Sequence, residues 1–149
     1  MRNEKWFKTY LVKKLEAKGI IVDQTHTTMK MGMPDLILCI EGRCVWLELK
    51  FLRKLPGEPG DEHRLGHPLT ARQSKWLRDW AAHGALSHAV IGFDDGSLVY
   101  IDEFKPGPLK KFTVDRIFSA DEYIDEVLCS ICVQRLSPTA PTPQTGSRT

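Results

Sequence analysis

Two β-rich runs, Leu36–Ile40 and Arg43–Leu49, are separated only by Glu41-Gly42, and no other feature constrains the chain as tightly. This is the pattern of an antiparallel hairpin. With the turn centred on Glu41-Gly42, Ile40 faces Arg43, Cys39 faces Cys44, and Asp35 faces Glu48. Side chains alternate along a strand, so Leu36, Leu38, Ile40, Val45, Leu47 and Leu49 share one face, while Asp35, Glu48 and Lys50 share the other. Like charges directly opposite destabilise a sheet, so this arrangement wants a cation between the two carboxylates, and a divalent metal fits. The alternative is a pair of solvated strand-end carboxylates neutralised by Lys50. A competing register exists as well: Glu is a poor residue for a turn needing φ > 0, and a three-residue loop would set Asp35 opposite Leu49.

The flanking segments supply further elements. Residues 3–18 have an amphipathic pattern, with Asn3 as N-cap, Trp6, Phe7, Tyr10, Leu11 and Leu15 on one side, and Gly19 past the end. Glu4 precedes Phe7, Leu11 and Leu15 on that stripe and is expected to look inward, or else to serve as a first-turn acid favoured by the helix dipole. A short strand is expected over 20–24, and a loop over 25–33. Residues 51–69, dense in Pro, Gly and charge, read as a long loop. Thr70 opens a second helix that ends near His83. Its Gln73 lies on the inward stripe with Trp76, Leu77 and Trp80, although Thr70-x-x-Gln73 is also a capping box. Residues 87–93 and 97–101 read as strands joined through Asp94-Asp95-Gly96. A last helix, boxed by Ser119 and Glu122, runs to about Arg135.

Apolar residues are 42% and charged residues 27% of the 149, the balance of a globular chain with enough residues for one core of its own. We expect one domain over 1–136 and a disordered tail over 137–149, where SPTAPTPQTGSRT cannot build a core. No run approaches the roughly 18 apolar residues of a membrane span, and the charged start lacks a secretory signal's apolar stretch. Four cysteines with no secreted framework suit a reducing compartment, so a cytoplasmic location, in a bacterium or a phage-infected cell, is expected. The formal net charge of +2 hides an asymmetry, because residues 1–93 carry +5 and residues 94–126 carry −5. Cations on the first helix, Lys8, Lys13 and Lys14 among them, can attract a phosphate backbone if they share a face, or simply form a solvated surface.

Met33-Pro34-Asp35, twelve intervening residues and Glu48-Leu49-Lys50 together resemble the PD-(D/E)XK nuclease signature. The surrounding order strengthens the resemblance: Glu4 on a helix ending in Lys18-Gly19, the K-x-G-x-P-D approach of Lys30 to Asp35, and L-T-x-x-Q-x-x-W-L from Leu69 to Leu77 followed by Gly84. This looks like the VRR-NUC-type branch, which includes phage-type nucleases and relatives of Holliday-junction resolvases, and the resemblance spans residues 3–101. It implies an α/β, restriction-endonuclease-like core with a mixed central sheet flanked by helices. It also implies a metal-dependent nuclease that hydrolyses DNA phosphodiester bonds, with branched DNA among its substrates. A nucleic-acid-binding module on the same fold is the alternative.

By the resemblance, Asp35, Glu48, the backbone carbonyl of Leu49 and Glu4 would bind Mg²⁺ or Mn²⁺. Lys50 would orient the attacking water and offset charge developing on phosphate, and Gln73 would position the lysine or the water. Apart from the resemblance, His26 and Lys30 in the loop before the metal strand are candidates to hold phosphates, the alternative being that they are simply solvated. DNA is then the partner, no membrane is involved, and a homodimer would pair two sites on a branched substrate. Cys129-x-x-Cys132 has zinc-like spacing but no second pair, so these thiols are expected to be structural. His63 and His67 are weaker metal candidates, and Trp76 and Trp80 are expected in the core.

Overall fold

The computed structural model describes residues 2–25 and 32–132. The expected loop residues His26 and Lys30 and the tail over 137–149 lie outside them. The elements in chain order are α1 (Glu4–Ala17), β1 (Ile21–Gln24), β2 (Leu36–Ile40), β3 (Arg43–Leu52), β4 (Glu62–Leu69), α2 (Ala71–Ala82), β5 (Leu86–Phe93), β6 (Leu98–Ile101), β7 (Leu109–Thr113) and α3 (Ala120–Glu122). A π-helical stretch, Tyr123–Cys129, continues α3.

Five strands form a mixed sheet in the order β1-β2-β3-β5-β6. β3 is antiparallel to β2 and parallel to β5, so the return from β3 to β5 needs a crossover, and it carries β4 and α2. The hairpin takes the two-residue turn: Cys39 pairs with Cys44 and Leu36 with Leu47. Glu41 accepts φ 49° and Gly42 φ 78°, the left-handed pair that matches the twist of the flanking strands. The three-residue alternative is therefore excluded, because it would turn the apolar set of β2 to the wrong face.

α1 and the C-terminal helical segment cover the first face of the sheet. Phe7, Leu11 and Leu15 meet Leu36, Leu38, Leu47, Leu49 and Val90 there, with Tyr123, Ile124, Val127 and Leu128 completing the layer. On the other face, Leu77 of α2 packs with Trp46, Leu69 and Ala89. Trp46, Trp76 and Trp80 form an aromatic cluster with centroid spacings of 5.1–5.9 Å, although Trp80 keeps 40% of its surface exposed.

Two expectations are corrected. Residues 51–69 are not one loop: β3 runs on to Leu52, and β4 pairs with β7 in a second, two-stranded sheet. Only Leu65 and Leu69 of β4 are buried, so its sequence lacks alternation, and its partner lies more than forty residues downstream. The last helix does start at its capping box, but it passes into π geometry at Tyr123. A π turn leaves no distinct side-chain spacing to read. Cys132 is buried in the core and Cys129 packs beside it as a thiol.

Candidate active site

The site forms where β2 has not yet begun but β3 already continues. A two-residue hairpin makes Ile40 and Arg43 a hydrogen-bonded pair, and the alternation then makes Asp35 and Glu48 a non-hydrogen-bonded pair, the type whose side chains stand closer. One step further, Pro34 falls opposite Leu49 at a hydrogen-bonded position. Leu49 turns both its N–H and its C=O toward that edge. The N–H donates to Asp35 Oδ2 at 2.9 Å, which pins the carboxylate over the strand. Pro34 has no N–H to offer the Leu49 carbonyl, and its own carbonyl accepts from the Thr25 hydroxyl. A proline before the aspartate thus leaves one backbone oxygen directed at the site without a ladder donor.

Glu48 is 3% exposed. Its Oε2 accepts from Gln73 Nε2 at 2.8 Å and lies 3.7 Å from Lys50 Nζ. Burial, and next the charge of Asp35, push its carboxyl well above the usual carboxylate range, with Lys50 opposing. Gln73 does both things its sequence position suggested. Its Oε1 accepts from the Thr70 N–H to close the capping box, leaving the amide nitrogen for Glu48.

Glu4 arrives from α1. As a residue it is exposed, but its carboxyl reaches into the cleft, where desolvation raises its pKa, Asp35 raises it further, and Lys50, His67 and Lys8 pull it down. The structure therefore brings Glu4, Asp35, Glu48, Lys50 and Gln73 together, with the backbone of Leu49. Lys8 stands one turn beyond Glu4, whereas Lys13 is exposed away from these contacts. Lys14 is 3.2 Å from Asp121 and lies over the Tyr10 ring. His63 stacks on Phe112, away from the site. Arg53 and His67 line the cleft beside Glu4. Nothing in the sequence singled out Arg53, and His67 stood out there only as a weak metal candidate.

Three carboxyl groups gather around one lysine, so the donor set is short of positive charge and rich in hard oxygen, which suits Mg²⁺ or Mn²⁺. Among the described residues, no three Asp, Glu, His or Cys side chains converge closely enough to ligate one ion by themselves. The fit is to an ion held by Asp35, Glu48, the Leu49 carbonyl and water, as Mg²⁺ prefers.

No protein-family model matches the chain, and no curated protein matches it. Among solved structures it is similar to that of Hjc, a Holliday junction resolvase from the archaeal hyperthermophile Archaeoglobus fulgidus, with TM-score 0.52 and 15% identity over 74% of this chain and 83% of that one. The fold is shared with Hjc. The expected fold class, a restriction-endonuclease-like mixed sheet flanked by helices, is therefore present. At 15% identity the likeness to Hjc concerns the path of the chain, so the roles of the site residues rest on their own geometry. No described helix is long and apolar enough to cross a membrane.

Proposed function

We propose that this protein is a metal-dependent deoxyribonuclease of the PD-(D/E)XK type and VRR-NUC-like branch, hydrolysing phosphodiester bonds in branched DNA. The observation that carries this reading is the pairing of Asp35 with Glu48 at a close strand position, with Lys50 3.7 Å from Glu48 and no other cation of the hairpin beside them. A carboxylate pair in which Glu48 is buried and Asp35 half-buried is costly to a fold that has no use for it. Mg²⁺ or Mn²⁺ held there would polarise the scissile phosphate and acidify a bound water. Lys50 would orient the attacking water and offset charge developing on the phosphate oxygens. Gln73 fixes the Glu48 carboxyl through its amide N–H and the Leu49 N–H fixes Asp35, so both would be ready to hold the ion. Glu4 would help hold the ion from the α1 side. Hjc is a Holliday junction resolvase by description, which supports a four-way junction as the substrate. A junction presents two strands for cleavage, so a homodimer supplying two sites fits this reading.

The test is incubation with four-way-junction, single-stranded and plasmid DNA in Mg²⁺, in Mn²⁺ and in EDTA. Cleavage of the junction with either metal and none in EDTA is expected. Tight binding of DNA without cleavage under any metal would instead make the protein a binding module on this fold.

A further inference from the structure

β4 and β7 are paired at Arg64 with Lys111 and again at Leu69 with Leu109. Between these points β4 spends four residues, Leu65 to Pro68, against the single residue Lys110. Leu65 and Leu69 are buried anchors in two different parts of the core, and Gly66, His67 and Pro68 between them are all exposed. Such a bulge forfeits ladder hydrogen bonds, and bulges recur beside active sites because they re-aim a side chain. Here the bulge forms one wall of a cleft of about 390 Å³ whose other walls are Asn3 and Glu4 at the start of α1 and Phe51 to Arg53 at the end of β3. His67 is near enough for its charge to act on the Glu4 carboxyl, as does that of Lys50. The cleft therefore opens directly from the carboxylate cluster, and its mouth carries two exposed side chains able to donate to an anion, His67 and Arg53.

We propose that this cleft is the track of the DNA strand leaving the cleavage site, and that His67, presented by the β4 bulge, and Arg53, at the end of β3, contact phosphates next to the scissile one. The proposal rests on the nuclease reading and adds the direction in which the substrate lies. A phosphodiester strand suits the cleft because it is anionic and regularly spaced. Its approach to Glu4 and Asp35 requires cations: α1 brings Lys8, whose charge acts on Glu4, and the opposite wall brings Arg53, just past β3, and His67 of β4. Both side chains are exposed, so their replacement does not disturb the core.

The experiment measures junction-DNA affinity in EDTA, where no cleavage occurs, against salt concentration for wild type, His67→Ala, His67→Lys, His67→Glu and Arg53→Ala. Loss of one exposed phosphate contact should weaken binding about 3- to 10-fold, and Arg53→Ala should flatten the log–log salt slope by about 0.9. Affinity should rank Lys at or above His, then Ala, then Glu at position 67. In metal, the effect of His67→Ala should appear in KM more than in turnover at saturating DNA. Wild-type affinity and slope in both alanine variants would overturn the proposal, and so would equal weakening by Ala and Lys at position 67, which would mean that shape and not charge matters there. If wild type cleaves nothing in any metal while these variants still lose affinity in the predicted order, the nuclease reading fails and the DNA track stands.

Discussion

Asp35 and Glu48 make their shared edge of the hairpin a source of instability, the cost that the proposed metal would offset. Glu48 has its carboxyl raised by burial and by Asp35, so the folded state favours its protonated form. The stabilisation this gives is present below the ordinary carboxylate value of 4.5 and is lost as pH rises through the raised one. Glu48→Gln keeps an acceptor for Gln73 but removes the charge. Without metal, its melting temperature should exceed that of wild type by a margin that opens as pH climbs from about 4.5 toward neutrality, while metal-dependent cleavage is abolished. A constant margin across that range, measured by thermal melts, would remove the electrostatic account. Gln73 allows its two duties to be separated. Glu at position 73 is an equally good third residue of a capping box, so Gln73→Glu should hold α2 while setting a third carboxyl against Glu48. Cleavage should fall at least tenfold, about 1.4 kcal/mol of transition-state stabilisation, with the helix content by circular dichroism unchanged.

At the level of elements, two contacts decide how α1 and the C-terminal segment lie on the sheet. A Cβ built on Gly92 of β5 would sit 2.4 Å from the ring of Phe7, so α1 rests directly on the backbone of β5. Gly92→Ala should cost about 1–3 kcal/mol through overpacking. It should also lower cleavage, because the displaced helix carries Glu4; a melt and a rate measured on the same preparation check both. On the same face, His88 is fully buried with Nδ1 2.7 Å from the Tyr123 hydroxyl. Desolvation chiefly, and Arg43 next, hold its pKa at about 3 against 6.5 for a free imidazole. The unfolded chain takes up the proton first, so stability is full above pH 6.5 and is lost as pH falls from 6.5 toward 3. His88→Gln should flatten that acid limb of the stability profile. Tyr123→Phe should cost about 1–3 kcal/mol by leaving a buried ring nitrogen unpaired.

Across the whole molecule, the opposed charge blocks of the sequence partly meet each other. Lys14 of α1 and Lys18 at its C-cap pair with Asp121 and Asp125 at 3.0–3.7 Å, two of these pairs across 107 residues, whereas the charge of Lys8 acts on the Glu4 carboxyl. On the nuclease reading, Lys8, whose charge acts on the Glu4 carboxyl, is the first-helix cation expected to meet DNA beside the cluster. Lys8→Ala should reduce the salt slope of DNA binding by about 0.9, and Lys14→Ala should change it less. Metal binding should also register globally. Because an ion that binds only the folded state stabilises it by mass action, Mg²⁺ or Mn²⁺ should raise the melting temperature of wild type but not of Asp35→Asn or Glu48→Gln. An equal rise in all three would place the ion elsewhere.

The β2–β3 hairpin was legible in the sequence, and so, in one of the two registers it left open, was the shared face of Asp35, Glu48 and Lys50; the left-handed Glu41-Gly42 turn of the folded chain selects that register. A period of two and a two-residue turn are short-range sterics, and slipping the register would turn every apolar residue of β2 outward. The sequence also marked both capping boxes and the inward stripe of α1. The resemblance pointed to Glu4 and Gln73, but it took the folded chain to show that they and His67 reach that hairpin from three separate elements, because nothing local distinguishes a capping glutamine from one that also reaches a carboxylate. Only the tertiary structure decided that Glu62–Leu69 is a strand. With two buried residues, β4 has too little pattern of its own, and it becomes a strand by pairing with β7 and laying Leu65 and Leu69 on a core assembled from elsewhere in the chain.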